Sequence, residues 1–182
     1  MQELSMNILD IAENSVRADA SLVEIALIQD SASGMQSLVV RDDGKGMDEE
    51  MVRRVTDPFT TTRTTRKVGL GLPFLQMAAR QTGGDLSIQS TPGVGTTVTA
   101  SFTMGHIDLA PLGDMGGTLA ALVQSGEEID FLFTFEKDGR KFVFDTREAR
   151  RMLDGVPLGT PAVVQFIKEH VNEGIQEVLA GE

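Results

Sequence analysis

Apolar positions at the start of the chain fall at Leu4, Ile8 and Ile11, with Ser15 on the same face and Leu9, Ala12 and Val16 beside it. That spacing predicts a helix over 2–17. Residues 22–29 and 36–41 are short apolar runs separated by the turn residues 31–34, and they predict two strands. Asp48, Glu49 and Glu50 open a short helix ending near Val55, with acids where the positive helix start favours them. Residues 56–68 carry no apolar period. A helix is predicted over 72–82, with Pro73 in its first turn and Gly83-Gly84 as its stop. Strands at 85–90 and 96–103 form a hairpin across Thr91-Pro92-Gly93-Val94-Gly95. Beyond residue 105 the pattern predicts a helix at 113–124, weakened by Gly116 and Gly117. A hairpin over 131–145 turns at Asp138-Gly139, and helices follow at about 146–153 and 161–180. The reading is a domain over 1–104 followed by a small C-terminal α/β extension over 105–182.

Composition narrows the class. With 41% apolar residues over 182 positions the chain can bury a core. It has no cysteine, which excludes a disulfide framework and a thiolate metal site. No basic-then-apolar leader opens it and no apolar run reaches membrane length, so a soluble cytoplasmic protein without membrane contact is expected. The net charge is −11, about −4 over residues 1–104 and −7 over 105–182, which argues against general nucleic-acid binding.

Three stretches carry candidate chemistry. Arg41-Asp-Asp-Gly-Lys-Gly-Met47 follows the apolar run Leu38-Val39-Val40, and its two glycines force a tight turn that leaves Asp42 at a strand end. Such turns mostly just reverse the chain; the functional alternative is a close backbone approach to a ligand. Asp10, Asn14 and Arg17 share a helix face at spacings of four and three. This is either a solvated face or a carboxylate and an amide aimed at one ligand or metal. The threonines of 56–68, with Arg63, Arg66 and Lys67, could hold phosphates or form a polar surface loop. Gly69 and Gly71 stand at the start of the following helix, where free N–H groups favour an anion.

Taken in order, these boxes resemble the ATP-binding domain shared by gyrase, heat-shock chaperone, histidine kinase and MutL proteins. They are Asp10 with Asn14, Asp42-Asp-Gly-Lys-Gly46, Phe59 with a Thr/Arg loop, Gly69-Leu-Gly-Leu72, and Gly95-Thr96. The resemblance covers about residues 4–104 and implies a two-layer α/β sandwich with a mixed sheet. It also implies ATP and Mg2+ as cofactors and a protein substrate or partner, and it is compatible with a homodimer.

Residue by residue, it makes Asn14 a magnesium ligand and Asp10 the counterpart of the base of the hydrolysing members. Asp42 becomes the acceptor of the adenine amine, with Gly44 and Gly46 near the base, Met47 packed on it and Thr96 supporting Asp42. Thr60 to Val68, with Thr60, Thr61, Arg63, Lys67 and Val68, would cover the phosphates as a lid ordered by nucleotide. Gly69, Leu70, Gly71 and Leu72 would open the phosphate-side helix, and Phe59 belongs to the box before the lid. Lys67 stands where the family has a glycine, and Asp10 is one methylene shorter than glutamate.

The style is closest to histidine kinases, yet no phosphoacceptor helix pair precedes the boxes. His106-Ile-Asp-Leu-Ala-Pro-Leu copies the spacing of the kinase phosphoacceptor box, but Ile107 replaces the acid and the segment follows the domain, so it reads as coincidence. The stand-alone layout also resembles anti-sigma serine kinases. The strand and helix that precede the first box in kinases have no counterpart, so the tail or a partner chain is expected to complete the sheet.

Overall fold

The computed structural model describes residues 2–57 and 71–181. The predicted elements in these segments form, with ends within two residues of expectation. In chain order they are α1 (Leu4–Arg17), β1 (Leu22–Asp30), β2 (Met35–Asp42), α2 (Glu49–Val55), α3 (Gly71–Gln81), β3 (Leu86–Thr91) and β4 (Gly95–Thr103). Then follow α4 (Met115–Ser125), β5 (Asp130–Lys137), β6 (Arg140–Asp145), α5 (Thr146–Leu153) and α6 (Pro161–Ala180).

The strands make one six-stranded sheet in the order β3-β4-β2-β1-β5-β6. Every neighbouring pair is antiparallel except β1 with β5. Alternation along each strand creates the two faces. On one, Val23, Ile25 and Leu27 of β1, Leu38 and Val40 of β2, and Phe131, Phe133 and Phe135 of β5 are all buried. Helices cover that face: α1 against β2, α3 against β3 and β4, α6 against β5 and β6, with α4 between α1 and α6. On the other face alternate residues such as Thr97, Thr99 and Ser101 stay partly open. The result is the two-layer α/β sandwich with a mixed sheet.

Residues past 104 supply two of the six strands. Of the two ways open to complete the sheet, the chain's own tail does so, through β5 alongside β1. The glycines of α4 are offset by its cap, since Asp114 accepts the Gly117 N–H at 2.8 Å. Asn172 of α6 reaches across to Gly116 N at 2.8 Å and to Asp114 at 2.9 Å, which fastens α6 to the start of α4.

Candidate functional site

The site is built where α1 passes the end of β2. Leu38, Val40 and Asp42 lie at i, i+2 and i+4 and so share the helix-covered face, with Asp42 just past the last core residue. Its carboxylate is held from two sides. Ser15 of α1 donates its hydroxyl to Oδ2 at 2.5 Å, and the Gly44 N–H donates to Oδ1 at 2.9 Å. Both distances lie within the ordinary hydrogen-bond range. Ser15 is 3% exposed, so its hydroxyl meets the rule that a buried polar group finds a partner. Neither Asp42 oxygen is saturated by one bond, because each carries a second lone pair.

The glycine turn after Asp42 is wedged between two parts of the protein. The Lys45 N–H donates to Ala18 O at 2.9 Å at the end of α1, and the Gly93 N–H donates to Lys45 O at 2.7 Å. A Cβ on Gly44 would lie 2.7 Å from Ala18 O, and one on Gly46, at φ 69°, would lie 2.1 Å from Thr91 O. The protein's own backbone therefore already excludes side chains at both positions. The Met47 N–H is taken by Ser90 Oγ at 2.8 Å.

Thr96 sits directly opposite Asp42 in the β2–β4 ladder, but its hydroxyl pairs with Ser90 at 2.7 Å. The hydroxyl on Asp42 belongs to Ser15, a residue that periodicity alone places on the apolar face of α1. The available signal was its polarity on that face beside Asn14. Asp43, the neighbour of Asp42, faces the other way. Burial works against its charge, yet the Ser21 hydroxyl and the Leu22 and Ser21 amides hold its carboxyl below the ordinary aspartate range.

The other candidates also lie on α1, Asn14 next to Ser15 and Asp10 one turn before Asn14. Asn14 is half-buried and its Oδ1 accepts from Arg17 Nη1 at 3.1 Å. Arg17 also pairs with Glu13 at 3.6 Å. Asp10 keeps contact with solvent, but partial burial raises its pKa above the ordinary aspartate value, and the Arg17 charge opposes that rise. Gly71, the first residue of α3, lies against Asp10, so that a Cβ there would stand 3.2 Å from Asp10 Cβ. Leu72 turns into the core at 7% exposure.

The structure thus brings Asp10, Asn14, Asp42, Gly44, Gly46, Met47, Gly71 and Thr96 to one end of the sheet. Thr60, Thr61, Arg63, Lys67, Val68, Gly69 and Leu70, with Phe59, lie outside the described residues. Among the described residues no group of three or more His, Cys, Asp or Glu could hold a metal unaided. His106 lies in the loop after β4, where its Nδ1 accepts the Asp108 N–H at 3.0 Å. No described helix is long and apolar enough to cross a membrane.

Comparison with known proteins agrees on the first part of the chain. The family model described as histidine kinase-, DNA gyrase B-, and HSP90-like ATPase matches residues 1–106. A putative sensor protein of Shewanella frigidimarina (strain NCIMB 400) is 32% identical over 109 residues, 59% of this chain and 17% of that protein. The signal transduction histidine-protein kinase AtoS of Escherichia coli (strain K12) is 31% identical over 97 residues, 53% of this chain and 16% of that protein. The chain therefore spans about a sixth of the length of these relatives. Among solved structures, the N-terminal domain of a DNA repair protein superposes with a TM-score of 0.56 at 17% identity, over 79% of this chain and 52% of that one.

Proposed function

The chain belongs to the histidine kinase-, DNA gyrase B- and HSP90-like ATPase family, and on that footing we propose that it binds ATP with magnesium and passes the terminal phosphoryl group to a separate protein or, slowly, to water. The observation that carries this reading is the Asp42 carboxylate, fixed by Ser15 and Gly44 at the end of β2 while Asn14 and Asp10 follow on the same helix. An oriented acceptor of this kind selects a purine with an exocyclic amine, because a base lacking that donor leaves the carboxylate unpaired. Gly46 and Met47 lie next to where such a base would rest, and Gly71 lies beside Asp10 on the phosphate side.

The donor set fits magnesium. One amide oxygen, Asn14 Oδ1, is too little for an all-protein cage. It suits a cation that takes most of its oxygens from phosphates and water. Bound magnesium would neutralise charge on the triphosphate. Arg17 occupies one lone pair of the Asn14 oxygen and leaves the other for the cation. Asp10 accepts the proton of the attacking water or hydroxyl as the oxygen of that nucleophile bonds to the terminal phosphorus and the bond to the ADP oxygen breaks. A pKa raised by partial burial favours that role over that of an ordinary surface aspartate.

The acceptor is a protein other than this chain, and the reaction belongs in the cytoplasm, where ATP is supplied. Nucleic acid is not a partner, on the grounds of net charge. The grip of Arg17 on Asn14 favours one rival reading, a module that senses ATP and recruits a partner without turnover. Incubation with magnesium and ATP labelled on the terminal phosphate separates them. Label on a second protein supports transfer and label in free phosphate supports hydrolysis. Bound but intact nucleotide supports sensing, and no measurable affinity defeats the proposal.

A further inference from the structure

β6 is an edge strand, and its free side has the symmetry of a self-pairing surface. Its turn, Asp138-Gly139, has both residues at positive φ (51° and 85°) and is closed by the pair Lys137 and Arg140. In a two-residue hairpin the closing pair is hydrogen-bonded, and hydrogen-bonded pairs then alternate along the ladder. Arg140, Phe142 and Phe144 therefore spend their backbone groups on β5. Lys141, Val143 and Asp145 turn theirs outward.

We propose that β6 pairs antiparallel with β6 of a second copy of this chain, about a two-fold axis at Val143, joining the two sheets into one. This register places Val143 opposite Val143 of the second copy and Lys141 opposite Asp145. It uses all three outward-facing residues, and each Lys141 meets an Asp145 carboxylate that already holds Arg147. The Val143 N–H and C=O bond reciprocally, and the Asp145 N–H bonds to Lys141 C=O of the second copy. The Asp145 carbonyl stays with α5, which it caps.

On the helix-covered side, Phe142 comes beside Phe144 of the second copy. The aromatic group there reaches the seam: Phe142 meets His170 edge-on at 5.3 Å, and Phe166 stacks on His170 at 5.3 Å while 59% exposed. Val143 is 46% exposed on the open side. The opposite edge of the sheet differs. β3 shows exposed Ser87, Gln89 and Thr91 and has α2 packed against it. A lysine on an edge strand ordinarily guards against pairing. At Lys141 it does not, because in this register it falls on an acid. The isologous arrangement closes as a dimer and does not propagate.

The proposal uses no residue of the nucleotide site and stands apart from the ATP reading. Sedimentation equilibrium of the 182-residue chain is expected to show a dimer. Val143→Lys, which puts two cations at the axis and leaves the solvent-exposed position foldable, should weaken it by about tenfold or more. Circular dichroism of the variant should match wild type. The chain has no cysteine, so Val143→Cys supplies its only thiol. Facing residues of a hydrogen-bonded antiparallel pair stand about 5.5 Å apart at Cα, within disulfide reach. Mild oxidation should link this variant to itself far faster than Val94→Cys, a control on the exposed β3–β4 turn. A wild-type chain that stays monomeric, a dimer that Val143→Lys leaves intact, or equal cross-linking of the two cysteine variants would overturn the proposal.

Discussion

Three aspartates of the C-terminal part and two of the candidate site are used in opposite ways. Asp114, Asp130 and Asp145 are spent on the fold. Asp114 takes the Gly117 N–H, the Asn172 amide at 2.9 Å and Lys168 at 3.5 Å. Asp130 takes the Thr146 hydroxyl and Arg150, both at 3.0 Å, and Asp145 takes three donors of Arg147. Asp42 is different. It is fixed by one donor on each oxygen and keeps acceptor capacity to spare. Among the described residues the Asp10 carboxyl has no hydrogen-bond partner, and Gly71 packs against its side chain. Saturated carboxylates fasten elements together, whereas oriented and unsaturated ones have something left to give a ligand.

The sharpest break of this contrast is at Asp10. Asp10→Asn should lower ATP turnover by about a hundredfold while leaving ATP affinity within a few-fold, because general-base contributions start near that size. A loss of affinity with normal turnover per bound ATP would move Asp10 to a binding or structural role. The same variant should be slightly more stable to heat at neutral pH. A carboxyl whose pKa is raised on folding is a burden wherever it is ionised, and the amide removes that burden.

Asp42→Asn comes next. It presents a donor toward the adenine amine on one side and gives up a charge-assisted bond of about 1.5–3 kcal/mol, or roughly ten- to hundredfold in affinity by calorimetry. Its counterpart in the other region, Asp114→Ala, should leave ATP affinity unchanged and cost about 0.5–2 kcal/mol in denaturant unfolding, as a lost helix cap does. If both variants damaged the same property, the division between the two regions would fail.

A smaller effect belongs to Ser15→Ala, which keeps the Asp42 charge but removes one of its two restraints. Affinity should fall by about two- to tenfold, the range of a single hydrogen bond. The smallest effect is in pH dependence. Asp145 is held below the ordinary aspartate value chiefly by its hydrogen bonds from Arg147, with burial opposing. Its contribution to stability is complete above the unfolded pKa of about 3.9 and is lost as pH falls through the lower folded value. Removing it by Asp145→Asn should flatten the loss of stability on acidification below about pH 4, followed by circular dichroism.

How far the sequence carried the reading depended on the range of the forces involved. Local periodicity located the described helices and strands. The apolar run Leu38-Val39-Val40 put Asp42 at a strand end, and Asp138-Gly139 marked its hairpin. The grip of Ser15 on Asp42 crosses 27 residues and depends on how α1 lies over β2, which no local pattern encodes. The glycines of the turn were legible as glycines needed for close approach. That Ala18 and Thr91 are what approach them is a tertiary fact. Arg17 was placed on the face of Asn14, but its hold on the Asn14 oxygen depends on side-chain choice among several acceptors. The strand character of 131–136 was plain, yet β propensity does not say which strand it will pair with.

The pairing of β1 with β5 bears on how the chain is made and folds. β1 lies near the middle of the sheet, yet Val23 and Ile25 meet their β5 neighbours Phe131 and Phe133 across more than a hundred residues of intervening chain. Parallel, long-range contacts of this kind form slowly, because the loop must close before the contact is made. During translation, β2 and β4 can assemble on one side of β1 while its other side waits for residues still to be synthesised. A nascent chain paused before residue 130 would display an apolar, unpaired strand edge and would be the species most prone to aggregate or to engage a chaperone.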